Sequence, residues 1–191
     1  MIKLSLLIIT IPERLTTFLP KMVEQLEKQM TDEVELLALM DTKKLKIWTK
    51  RNKLMQIAQW EYICHLDDDD TVSDDFVEQL LKGISHNPDC VSFNHAISLN
   101  GWPYMDVYFG KKYEHTQPSQ EQTYYTRKPN NKMCRRKSLA EQYPHADISW
   151  LEDTLWAEEI DKVEYTEYHI DKPLYFYNYS DATSLSSMMN L

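Results

Sequence analysis

Between residues 4 and 94 the chain alternates four short apolar runs with three stretches of helical periodicity, and this alternation limits its fold more than any other feature. Residues 4–9 and 34–40 are runs of mostly branched aliphatic side chains, the pattern of strands covered on both faces. Between them Leu15, Phe18, Leu19, Met22, Val23, Leu26 and Met30 recur at helical spacing. Pro20 is tolerable in a first turn, where N–H groups lack helical partners anyway. Residues 46–60 read as a second helix with Leu54, Ile57 and Ala58 inward, and 61–66 as a third strand. Residues 73–84 read as a third helix burying Phe76, Val77, Leu80 and Leu81, and 90–94 as a fourth strand. Such alternation predicts an α/β fold, a mostly parallel sheet flanked by helices. Ligands of open sheets bind beyond the carboxyl ends of the strands, where Thr10, Asp41 and the run Asp67-Asp68-Asp69-Asp70 fall.

The second half is less regular. Asn100-Gly101 signals a hairpin, and Pro103 makes its second arm an edge strand at best. Residues 104–122 read as a long loop or lid, 137–143 and 149–160 as helices, 163–170 and 174–179 as strands, and 180–191 as a tail. No repeat or linker divides the 191 residues, so a single domain is expected. Three glycines exclude the glycine-rich phosphate loops. Cys64, Cys90 and Cys134 are odd in number and lack CxxC spacing, which points to reduced thiols in a cytoplasmic protein and against a cysteine zinc site. No run reaches the roughly 20 apolar residues of a membrane span. The apolar stretch 3–11 has no small-residue cleavage site and runs into Pro12-Glu13-Arg14, so it reads as a strand rather than a signal peptide. A formal charge of −9 argues against a general nucleic-acid coat. Lys128, Lys132, Arg135, Arg136 and Lys137 nevertheless form a local basic cluster that could meet a phosphate backbone or simply be solvated.

Four adjacent carboxylates closing a buried strand repel one another. Ser73, Asp74 and Asp75 already serve the next helix start, so Asp67 to Asp70 exceed what capping needs. A hard divalent ion, Mg²⁺ or Mn²⁺, held by one or two carboxylates plus substrate phosphates would relieve the repulsion. A solvated acidic turn is the alternative.

The segment Tyr62-Ile63-Cys64-His65-Leu66-Asp67-Asp68-Asp69-Asp70 resembles the strand and DXD motif of GT-A-fold glycosyltransferases of the family-two group. Thr49-Lys50-Arg51-Asn52 is similar to that group's Arg-Asn helix, residues 10–14 to its first strand end, and Asp41 stands where its second strand ends beside the base. Glu152-Asp153-Thr154-Leu155-Trp156 resembles the Glu-Asp motif carrying the catalytic base, and Lys172-Pro173-Leu174-Tyr175-Phe176-Tyr177 the strand after it. Two family glycines are missing: Lys46, Ile47 and Trp48 fill the stretch before Arg51, and Leu151 precedes Glu152.

The resemblance implies a Rossmann-like GT-A mixed sheet, with a nucleotide-sugar-binding half over 1–100 and an acceptor-side half over 101–191. It implies a metal-dependent, inverting hexosyl transfer from a UDP-sugar to a glycan or lipid-linked saccharide. A hydroxymethylated base in phage DNA is the alternative acceptor. Asp67 and Asp69 would hold the metal, with Asp68 and Asp70 as the alternative register. Thr10, Arg14, Asp41, Arg51, Asp67 and Asp68 would contact the donor, and Asp153 would be the base. Glu152 would be a second catalyst or the third helical residue of a capping box begun by Ser149. His65 reads as a core histidine, and His169 as packed or a late metal ligand. Trp102, Tyr104, Tyr108 and Tyr113 would stack on an acceptor or pack the loop. Two other classes remain: a non-catalytic binding protein with the same fold, and a metal-dependent nuclease or nucleotidyltransferase.

Overall fold

The computed structural model describes residues 4–148 and 151–181. The alternation is realised as β1 (Leu4–Thr10), α1 (Leu19–Glu27), β2 (Val34–Met40), α2 (Ile47–Ile57), β3 (Tyr62–Asp67), β4 (Thr71–Val72), α3 (Phe76–Ile84) and β5 (Cys90–Leu99). The second half adds β6 (Met105–Phe109), β7 (Tyr125–Arg127), β8 (Cys134–Arg136), α4 (Lys137–Ala140), α5 (Glu152–Asp161) and β9 (Glu167–Tyr179). All nine strands join one mixed sheet. β1 lies between β2 and β3, parallel to both, so Thr10, Met40 and Asp67 end side by side. β8 runs antiparallel between β3 and the start of β5. β9 accompanies β5 in parallel over its whole length. On the other edge of β5, β8 takes residues 90–91 and β6 takes 95–97.

Burial follows the expected faces, with β1 almost wholly enclosed and Met22, Leu26, Leu54, Phe76 and Leu80 in one core. Ile57 departs from expectation: it is exposed, because α2 ends there and the chain turns into Ala58, which is buried instead. The hairpin forms at Asn100-Gly101, both at positive φ (52° and 77°), as a primed turn requires. Its second arm is not an edge strand. Pro103 precedes β6, which then pairs with β5 and β7, so of the expected lid only Tyr104 and residues 110–122 lie outside named strands. The two expected C-terminal strands are one strand, β9. Its register shifts near Pro173, whose missing N–H suits a bulge. The first turn of the expected helix at 149–150 and the tail beyond 181 lie outside the described residues.

Candidate active site

The four aspartates alternate in direction at the mouth of β3. Asp68 turns inward, accepting from Thr10 Oγ1 at 2.5 Å and from Arg14 Nη1 at 2.6 Å. Asp70 also turns inward, accepting from Tyr175 Oη at 2.5 Å and the Asn178 N–H at 2.8 Å. Asp67 and Asp69 face the open side, retaining 26% and 19% of their side-chain exposure. Burial pushes Asp70 up to about 8, reinforced by the neighbouring Asp67 charge. Asp69 is raised for the same two reasons. Burial works against Asp67 ionising, but Lys132 and Arg51 outweigh it and hold that group at about 2.

Cations answer these acids at short range. Lys132 Nζ lies 2.5 Å from Asp67 Oδ2, and Arg14 Nη2 2.8 Å from Asp69 Oδ2. Lys50 Nζ bridges Asp41 Oδ1 at 3.0 Å and the Thr10 carbonyl at 3.2 Å, joining the ends of β1 and β2. Asp41 also accepts from the Leu45 N–H, and these bonds outweigh desolvation and lower its pKa. Arg14, Lys50, Arg51 and Lys132 thus stand among Asp41, Asp67, Asp68, Asp69 and Glu152. No three His, Cys, Asp or Glu side chains among the described residues form a ready cage. The two outward carboxylates fit a Mg²⁺-type site completed by phosphate oxygens rather than an all-protein one.

Arg51, buried at the first turns of α2, links this cluster to the second half. Its Nε lies 3.1 Å from Glu152 Oε1 and its Nη2 3.4 Å from Asp67 Oδ1. Next to it, the Asn52 amide donates to the His145 carbonyl at 3.0 Å and accepts the His145 N–H at 2.9 Å. The dipeptide thus clasps the segment that leads into α5. The capping-box expectation is corrected here: α5 starts at Glu152, with Leu151 at its N-cap, so Glu152 is the first helical residue and its carboxylate turns to Arg51. Burial raises the Glu152 pKa against the pull of Arg51. Leu151, where the resembled family has glycine, adopts φ 64° and ψ 19°, the left-handed conformation that glycine takes without strain.

A cavity of about 410 Å³ opens between these acids and the sheet, with Asp67, Asp153 and Lys132 on its lining. Its floor is one sheet face, because a strand's side chains alternate. In register across it run Tyr175, His95, Val107 and Tyr125, and beside them Phe109 and Arg127.

The model of the family described as Glycosyl transferase family 2 matches residues 22–142, more than half of the chain. The chain belongs to glycosyl transferase family 2. The match spans the Arg-Asn helix and the aspartates and stops before Glu152. No curated protein matches the sequence. Among solved structures, Staphylococcus aureus TarS 1–349 in complex with UDP-GlcNAc superposes with a TM-score of 0.71 at 13% identity, covering 97% of this chain and 61% of that one. The same protein with UDP gives 0.71 at 15% identity over 94% and 61%. The longer TarS structure gives 0.68 at 15% over 94% and 37%. The chain therefore spans about two fifths to three fifths of the TarS chains it matches, and at such identities the likeness shows the GT-A fold.

Within this family-two fold Lys132, Arg135 and Arg136 of the basic cluster form neither a shared face for a phosphate backbone nor a freely solvated run. Arg135 is wholly buried against Trp156 and Tyr165, Lys132 turns to Asp67, and Arg136 pairs with Glu61 and Asp89. Strand alternation in β8 and the tight turn before it scatter the charges. His65 is a core residue packed against His145 and Trp156, as expected. His169 bonds Ser92 through Nδ1 at 2.9 Å on β9. Tyr104 donates to Asn178, Tyr108 packs edge-on against Tyr124, Tyr113 lies under Lys112, and Trp102 is exposed. Sequence reasoning missed Lys132, Tyr175, His95 and Asn131 as site residues. Only the alternation of β5 and β9, read together with their pairing, would have brought Tyr175 and His95 to one cavity. No helix among the described residues is long and apolar enough to cross a membrane.

Proposed function

We propose that the chain is the catalytic domain of a glycosyltransferase that moves a hexose from a UDP-sugar to a saccharide hydroxyl with inversion. The observation that carries this reading is the meeting of Asp67 and Asp153 on one cavity, with Arg51 tying Asp67 to the helix that bears Asp153. Residues 1–100 hold the donor and 101–191 the acceptor, within one domain. Asp41 accepts a hydrogen bond from the base, while Lys50 fixes its orientation. Arg51 and Arg14 lie close to the diphosphate, and Thr10 and Asp68 hold Arg14 in place.

Asp67 and Asp69 are the residues that would hold Mn²⁺ or Mg²⁺, sharing their oxygens with Lys132 and Arg14. Such an ion, when bound, stabilises the charge that develops on the departing diphosphate. Asp153 is partly exposed on the cavity, where it can take the proton of an attacking hydroxyl in a single displacement. Glu152 is buried and paired to Arg51, so its role is to position the guanidinium. The scattered basic run removes the motive for a DNA acceptor, and a saccharide fits a floor of tyrosines.

The test is a thermal-shift titration with UDP in the presence and absence of Mn²⁺, followed by an assay for UDP released from UDP-GlcNAc. A metal-dependent shift and slow release that disappear in Asp69→Ala are expected. A protein that no uridine or other nucleotide stabilises with metal present contradicts the reading.

A further inference from the structure

Most buried or half-buried cations here have a carboxylate partner, but among the described residues Arg127 and Arg135 have none. Arg135 is enclosed by Trp156 and Tyr165, and of the two only Arg127 lines the cavity. Its Nη1 donates to the carbonyls of Thr116 and Thr126, which pin the side chain, and its guanidinium lies 5.0 Å over the Tyr125 ring. Among the described residues Nε and Nη2 have no hydrogen-bond acceptor. Arg127 ends β7 in register with Phe109 and lines the same cavity as Asp67 and Asp153. Two further groups on that lining are nine-tenths or more buried and unpartnered: His95 Nε2 and Asn131 Nδ2. His95 is packed between Phe109 and Tyr175 on the cavity lining. His95 Nε2, Asn131 Nδ2 and the Arg127 guanidinium thus converge on one cavity, where a ligand can supply the missing partners.

We infer that Arg127 reads an anionic substituent, a carboxylate or a phosphate, on the acceptor sugar, with Asn131 and His95 bonding its hydroxyls. The inference rests on the glycosyltransferase reading and deepens it by giving the acceptor a chemical class. A pinned guanidinium with a free edge matches a planar carboxylate or a phosphate face in two parallel bonds. In a chain of net charge −9 an anionic acceptor is otherwise repelled, so one unpaired cation on the cavity decides which sugars enter. The stacked Tyr125 adds a hydrophobic face for the ring beside the charge.

Glucuronic acid, glucose 6-phosphate and glucose are the probes, with dissociation constants measured by ligand-observed NMR on the full chain. The expected result is that at least one anionic sugar binds about tenfold or more tighter than glucose, as one added charged bond allows. Arg127→Gln should bring that sugar down to the level of glucose. Which anionic sugar gains distinguishes a uronic acid from a sugar phosphate. Should Arg127→Gln fail to fold, raising NaCl from 50 to 500 mM on the wild type should weaken the anionic sugar and leave glucose unaffected. Equal binding of all three sugars, or an anionic preference that survives both salt and Arg127→Gln, overturns the inference. The Mn²⁺–UDP thermal shift, measured separately on the wild type, reports whether the transferase reading itself holds.

Discussion

A single buried guanidinium joins the two halves of the site: Arg51 Nε lies 3.1 Å from Glu152 Oε1, across 101 residues of sequence, and the same side chain reaches Asp67. Removing it would leave buried Glu152 without its cation and Asp67 with Lys132 alone, in a low-dielectric setting. Arg51→Met should cost about 3–5 kcal/mol in urea unfolding. Adding Glu152→Gln should recover part of that loss, because the two residues are coupled. Additive losses in the double variant would show that the pair does not act as a unit.

The alternation of the aspartates separates fold from chemistry. Asp69→Asn should abolish UDP release while the melting temperature stays close to wild type. Asp68→Asn should lower stability by about 1–3 kcal/mol, since Arg14 then loses a buried charged acceptor. Melting curves and UDP assays on the two variants give a crossed pattern if this division is correct.

Asp153 is expected to matter for turnover and little for folding. Asp153→Asn should lower kcat by about 10²–10⁴, the share a positioned general base supplies, with the donor-induced thermal shift retained. Glu152→Gln should instead show its main effect on stability. Equal kcat for wild type and Asp153→Asn removes Asp153 as the base.

Asp70 gives a pH signature. Its folded pKa is raised to about 8, whereas an unfolded aspartate titrates near ~4. The folded state therefore holds a proton that the unfolded chain releases. This contribution is fully present below about pH 4 and is lost as pH rises toward 8. Unfolding free energies at pH 5 and pH 8 should fall further for wild type than for Asp70→Asn, which does not titrate. Parallel curves would count against a protonated Asp70.

Leu151 carries a backbone cost where the resembled family uses glycine. The side chain is exposed, so truncating it sacrifices little packing. Leu151→Gly should raise stability by about 1 kcal/mol, measured by denaturant midpoint, despite placing a glycine at a helix start. A destabilised variant would show that the left-handed turn is not strained.

Much of the first half is legible because one physical rule governs it. Strands buried on both faces and helices with one apolar stripe leave clear periodicities, and β1, α1, β2, β3 and α3 fall close to where those periodicities put them. Thr10, Arg14, Asp41, Arg51 and the aspartates gather at one sheet edge for the same reason. The second half obeys pairing rather than period. β7 and β8 are three residues each, too short to leave a pattern, and Pro173 interrupts the apolar run of β9 without ending the strand. The cation cluster left two readings open in the sequence, because a tally of charges along the chain ignores that neighbours in β8 face opposite sides. Lys132, in the segment after β7, and Arg127, at the end of that strand, become site residues only once the strand order brings them to the cavity that Asp67 lines.

The clasp between Asn52 and residue 145 is one-sided in what it demands. On one side it requires a carboxamide of a particular length; on the other it touches only main-chain atoms. The two hydrogen bonds ask of position 145 only that it keep its amide hydrogen, which excludes proline; the demand on its side chain comes from elsewhere, from the pocket between His65 and Trp156 that the buried ring fills. Divergent cousins of this chain should therefore be sought by an invariant asparagine after the arginine, and by a ring or a side chain of similar volume at the distant residue it grips.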